Sequence, residues 1–195
     1  MSAYDAFMLG TMRPAWLLLA GALIAGAGCG RAEPVAEPVE GALPSPATIR
    51  DIMSSMIDPS ADVLFESVAT IGDEKGIREI APQTDEEWQH VRQRAIVLIE
   101  APNLLLTPGR AVAGPNETSR VAGVELEPAQ IQALIDADRP AFVTHARSLQ
   151  DAAMQALKAI DARSKDALFA ASERIDTACE NCHLRYWYPS AAPQN

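Results

Sequence analysis

Apolar residues recur at steps of three and four over most of the stretch from Ala47 to Cys182, and no strand-like alternation of any length appears. That period confines the chain to helices. A first stripe holds Ile49, Ile52, Met53, Met56, Val63, Leu64, Val68 and Ile71, predicting a helix from Ala47 to about Ile71. Its phase survives Pro59, so the expectation is a kink there, or a stop and restart with Asp58 as N-cap and Pro59 in the first helical position. A second helix opens on the capping box Thr84/Glu87, buries Trp88, Val91, Ala95, Leu98 and Ile99, and is expected to end at Pro102. After a long connection of residues 101–126, which carries the apolar knot Leu104-Leu105-Leu106, Pro128 opens a third. Its stripe runs Ile131, Leu134, Ile135, Phe142, Leu149, Ala153, Leu157 and Ile160, with a kink expected at Pro140. A fourth runs from about Ser164 through Leu168, Ala171, Ile175 and Ala178 to Cys182. Aromatics make up only 5% of the chain and alanine is abundant, which favours helices over a sandwich or barrel. The simplest arrangement is all-α: an antiparallel, up-down-up-down four-helix bundle spanning residues 47–195.

The first 46 residues have a different character. Arg13 precedes an apolar run from Pro14 to Gly28 that is short of the ~20 residues a membrane span needs and ends in small residues, the pattern of an export signal over residues 1–28. Met12-Arg13 makes a tighter start for such a signal than Met1, because Asp5 sits badly in a positive leader. Cys29 follows the small residue Gly28 and is expected to be lipidated, as in bacterial lipoproteins, although Gly26 stands where that motif usually has leucine. Cleavage after Ala27 is the alternative. Residues 29–46 contain Pro34, Pro38, Pro44 and Pro46 among small and acidic residues, a tether that stays extended at ~3 Å per residue. The expected location is periplasmic, at the membrane of a Gram-negative bacterium. Net charge is −10, with none of the basic surplus that neutralising phosphates requires, so no nucleic-acid partner is expected. An acidic surface suits a redox protein with a basic docking face.

The chemistry is concentrated at the end of the fourth helix. Cys179-Glu180-Asn181-Cys182-His183 is a C-x-x-C-H pentad. Two cysteines three apart share a helix face, and each can form a thioether with one vinyl group of a porphyrin while the adjacent histidine ligates iron. One haem c per chain is expected. A C-x-x-C disulfide would suit a βαβ context that the periodicity does not provide, and a zinc site would need ligands that the other two histidines scarcely supply.

This placement of C-x-x-C-H on the last helix of an exported all-helical domain resembles the cytochrome c′ family, class II c-type cytochromes, over about Ala47 to Tyr188. Weaker echoes of a proteobacterial branch are MSSMIDPSAD at 53–62, NLLLTPGR at 103–110 and HLRYW at 183–187. The resemblance implies a four-helix bundle, haem c with His183 as proximal ligand, electron transfer or diatomic-gas binding, and often a homodimer. It departs where the family commonly has a basic residue a turn after the histidine, because here Arg185 comes early and Trp187 follows.

In an up-down-up-down bundle the pentad lies level with the start of the first helix, the end of the second and the start of the third. Met53, with Met56 as alternate, then becomes the expected ligand opposite His183. Helix rise puts His90 roughly 15 Å away and His145 as far or farther, so neither is expected to reach iron. Arg110 and its rival Arg185 are the candidate partners of the haem propionates. Tyr186, in the run Tyr186-Trp187-Tyr188, is a candidate to pack on the macrocycle. The reading is an exported electron carrier, not an enzyme. The alternatives are a five-coordinate haem protein that binds NO or CO, and a haem-free helical interaction module.

Overall fold

A computed structural model of the chain describes residues 45–188, with Lys75 excepted. The expected leader, Cys29 and nearly all of the tether lie outside the described residues. Contacts divide the chain into units 1–43 and 44–195, and the described residues of the second form helices and one two-stranded sheet.

Helix α1 covers residues 49–67 in three pieces: Ile49–Ile52, a π turn over Met53–Ile57, and Asp58–Ser67. Thr48 and Asp51 close its start with a reciprocal capping box. The amides of Ile49 and Arg50, orphaned at a helix start, donate to the carbonyls of Ala111 and Val112 at 2.9 and 3.0 Å. The chain does not stop at Pro59: Asp58 is itself helical rather than an N-cap, and an α segment resumes there directly from the π turn with Pro59 in its first turn. Pro59 has no N–H, and in an ordinary α turn its ring would press on the carbonyl four residues back. The helix accommodates it by widening the preceding turn, so that the Asp58 N–H donates to the Met53 carbonyl five residues back.

The helix ends at Ser67, not near Ile71. Val68 turns to extended backbone at φ −138°, and strands β1 (Ala69–Asp73) and β2 (Gly76–Ile80) form an antiparallel hairpin pairing Ala69 with Ile80 and Thr70 with Glu79. Gly76 takes φ +116°, a conformation that a Cβ disfavours. Every residue of β2 is exposed, so this hairpin has no buried face to impose an alternating pattern. An ion pair between Lys165 and Glu79 fastens it to the start of the last helix.

Helix α2 (Asp85–Leu105) begins at the expected Thr84/Glu87 capping box and passes through the buried Pro102 for another three residues. The third predicted helix is two. Asp138 (φ −143°, ψ 64°) breaks it into α3 (Pro128–Ala137) and α4 (Arg139–Asp161), and its carboxylate caps the new start by accepting from the Ala141 amide at 3.1 Å. Pro140 therefore sits in the first turn of a new helix, where no amide is missed, and makes no kink. Helix α5 (Lys165–Tyr186) runs a full turn beyond Cys182.

The cross-helix contacts give the directions. Arg92 on α2 meets Asp161 on α4 at 2.8 Å, and further along α2 the Ile99 carbonyl accepts from Gln150 at 3.0 Å, so α2 and α4 run antiparallel. Arg174 on α5 reaches Gln155, and Arg185 reaches back to Asp138 at 2.8 Å, so α4 and α5 do too. α1 packs against α2 and α5. Ala152, Ala153, Ala156 and Ala159 on α4 and Ala171 and Ala178 on α5 are buried, and their small side chains allow close helix approach. Ile52, Ile57, Leu64, Leu98, Leu168 and Ile175 fill the remaining core and are at most 1% exposed. Among the described residues no helix is long and apolar enough to cross a membrane.

Candidate functional site

The last turns of α5 carry Cys179, Cys182 and His183 to one cavity, which they line together with Ala178, Tyr186 and Trp187. α1 contributes Ile49, Met53, Ile57 and Asp58, α2 contributes Leu105, and α3 contributes Ile131 and Ile135. α4 adds Phe142, His145, Ala146 and Leu149. Every helix supplies a wall, and most of the lining is apolar. The enclosed part measures about 40 Å³. Two neighbouring spaces share its walls. One, of about 170 Å³, lies among Arg50, Met53, Asp58, Arg120, His183 and Trp187. The other is an outer groove of about 590 Å³ that shares His145 and Ala178 with the cavity and is bounded by Leu184 and Arg185.

Burial governs the chemistry of the two thiols. It pushes Cys179 up to about 12, with the charge of Asp58 adding to the effect, and Cys182 up to about 11. Both keep their protons at neutral pH, the opposite of the lowered value that marks an attacking thiol in disulfide exchange. Among the described residues no group of three or more His, Cys, Asp or Glu side chains is placed to hold a metal ion. Burial also raises Asp58, against the pull of the His183 charge.

Both methionines pack against the core, but Met53 also lines the cavity and its 170 Å³ neighbour, whereas Met56 lines neither. Tyr186 is buried, meets Phe142 and His145 edge-on with ring centroids 5.5 and 5.7 Å apart, and accepts a hydrogen bond on its hydroxyl from Arg185 Nε at 3.2 Å. Trp187 and Tyr188 flank His183 with ring centroids 6.4 and 6.1 Å away.

His145 is nearer than the sequence suggested. Because the helix breaks at Asp138, His145 is two turns into α4 rather than deep in a long helix, and it lines the same cavity as His183. Burial lowers its pKa, with the Arg185 charge assisting. His90 is indeed remote, lining a separate cavity with Val63, Glu66 and Glu87 near the hairpin.

Neither expected propionate partner is free. Arg110 is buried and spends its guanidinium on the loop: Nε donates to the Leu104 carbonyl at 2.6 Å, Nη1 to the Ala47 carbonyl, and Nη2 to Ser45 Oγ and Thr107 Oγ1. It does not line the cavity. This is the task of the long connection, which ties the start of α1 to the end of α2, while the Leu126 amide donates to the Trp187 carbonyl and ties in α5. Arg185 is paired with Asp138.

The sequence reading missed Arg50. Its side chain is only 9% exposed, its Nη1 lies 3.4 Å from Glu117, and its Nε and Nη2 have no hydrogen-bond partner. The guanidinium lies 6.0 Å from the Trp187 ring centroid and lines the 170 Å³ space beside His183. A cation in the first turn of a helix opposes the helix dipole, and that was the available signal.

No family model, curated protein or solved structure matches this chain.

Proposed function

We propose that the chain is an antiparallel, up-down-up-down four-helix bundle of the cytochrome c′ kind that carries single electrons through one covalently held haem c. The observation that carries the reading is that Cys179, Cys182 and His183 open together onto an apolar cavity walled by every helix. The antiparallel pairings of α2 with α4 and of α4 with α5 support the bundle, with α3 as the broken-off first segment of its third member. The donor set fits haem c: two protonated thiols, each of which can add its sulfur and proton across a vinyl group, beside one imidazole. Arg50 supplies the complement, since two buried guanidinium nitrogens without partners suit a carboxylate arriving with the cofactor.

Bound haem supplies a one-electron ferric/ferrous couple, and the protein's part is ligation, burial and charge. His183 is the proximal ligand. Met53, which lines the cavity where Met56 does not, would be the second protein ligand, and a thioether there would favour ferrous iron. Ligand pockets of this kind occupy about 300–1,000 Å³. Haem would therefore need the enclosed cavity together with its neighbouring spaces, whose shared walls include Met53 and His145.

In this reading Cys29 is acylated, the tether holds the bundle near a periplasmic membrane surface, and the acidic surface steers a basic redox partner. The test is to mature the full chain with the haem-attachment machinery and weigh it intact. The mass should exceed that of the polypeptide by one haem, and acid-organic extraction should not remove the pigment. A colourless product, or pigment stripped by extraction, overturns the assignment of Cys179 and Cys182.

A further inference from the structure

The proposed function leaves one carboxyl group at the site without a task. Asp58 lines the main cavity and the 170 Å³ space beside it, and His183 lines both as well. That coincidence is produced by the π turn. Residues five apart on an α-helix lie about 140° apart around its axis, so Met53 and Asp58 would face different neighbours. The π turn closes with the Asp58 amide on the Met53 carbonyl, and the two side chains share both spaces with His183. Pro59, immediately after, favours this widened turn. The other carboxylate of the smaller space, Glu125, is already engaged by the amides of Arg120 and Val121. Among the described residues the Asp58 carboxylate accepts no such bond.

We propose that Asp58 accepts a hydrogen bond from the ring nitrogen of His183 that faces away from iron, fixing the rotation of the ring and favouring the ferric state. An imidazole whose outer N–H meets a carboxylate is the better donor on its inner nitrogen, and such second-sphere partners tune many histidine-ligated metals. Asp58 is thus a positioning residue. Its backbone holds the turn that presents Met53, and its side chain holds His183. The inference rests on His183 being the iron ligand.

The experiment compares the matured full-length wild type with Asp58→Asn, Asp58→Glu and, as a control, Asp62→Asn, whose exposed carboxylate lies one turn further on. Midpoint potential is read by spectroelectrochemistry, and solvent exchange of the His183 ring N–H by ¹⁵N-edited NMR. Asp58→Asn should shift the ferric/ferrous equilibrium tenfold toward ferrous, equivalent to about 59 mV for one electron, and speed ring N–H exchange at least tenfold. Asp58→Glu should retain most of the wild-type behaviour, and Asp62→Asn should change neither readout. If Asp58→Asn carries haem and matches Asp62→Asn in both, the inference fails and the haem reading stands. Should the asparagine variant not accumulate, a wild-type ring N–H that exchanges as fast as free imidazole overturns the inference. A wild type without haem removes the reading and the inference together.

Discussion

Replacing Arg50 by methionine, a side chain of similar length without charge, has opposite expected outcomes depending on what the cavity holds. In the described structure the Arg50 Nε and Nη2 are buried and unpaired, and the Glu117 contact at 3.4 Å is long. An unsatisfied buried polar group costs about 1–3 kcal/mol, so if nothing anionic ever meets these nitrogens, Arg50→Met should stabilise the fold by that order. If they meet a haem propionate, the variant loses at least one hydrogen bond to a charged group, worth about 1.5–3 kcal/mol, and strands the carboxylate. For a chain of this size about 1 kcal/mol corresponds to roughly 2–4 °C in Tm, so the haem-loaded variant should melt roughly 3–12 °C below wild type. The assay is thermal unfolding of the matured protein followed at 222 nm and in the Soret band. A Tm equal to or above that of wild type would refute the propionate assignment, because the sign itself excludes a charged partner.

Met53→Ala should turn a low-spin spectrum high-spin, whereas Met56→Ala should leave the spectrum low-spin and only loosen packing. Optical and electron paramagnetic resonance spectra of the two variants check this. Arg110→Ala should destabilise the matured protein by about 2–4 kcal/mol in urea unfolding, since several part-buried hydrogen bonds go at once, yet leave the visible spectrum unchanged. The third expectation concerns pH. Burial holds His145 below the ordinary histidine value of 6.5, so between its folded and unfolded pKa values the unfolded chain binds the extra proton. Stability should therefore be fully present above about pH 6.5 and fall as pH drops toward the folded value, and His145→Phe should flatten that part of the slope. Urea midpoints from pH 5 to 8 measure it.

The helical class and the main cores were legible because buried helical faces impose a strong period: Leu98, Leu168 and Ile175, all placed inside by spacing, are fully buried. The Thr84/Glu87 capping box was legible because two side chains three apart define it. The hairpin was hidden because β2 is exposed throughout and has no face to bury. The break at Asp138 was hidden for the opposite reason, since Ile135 and Phe142 keep helical spacing across it and both are buried. That single break moved His145 to the cavity. At the site, C-x-x-C-H named three residues that line one cavity, and spacing along α1 named two methionines, of which Met53 lines that cavity and Met56 does not. Arg110 was assigned by its chemistry alone, and chemistry cannot say that a guanidinium is already committed to loop carbonyls. Arg50 went unseen because its significance lies in hydrogen bonds it does not make.

The central claim is an iron held between His183 and Met53 in a covalently attached haem, and the ferric and ferrous visible spectra of the matured wild-type chain test it most directly. The account predicts a low-spin ferric spectrum, split α and β bands on reduction, and no shift of the Soret band when CO is added. A high-spin ferric spectrum with ready CO binding would contradict Met53 ligation and favour a gas-binding protein, and the absence of a Soret band would contradict the haem assignment itself.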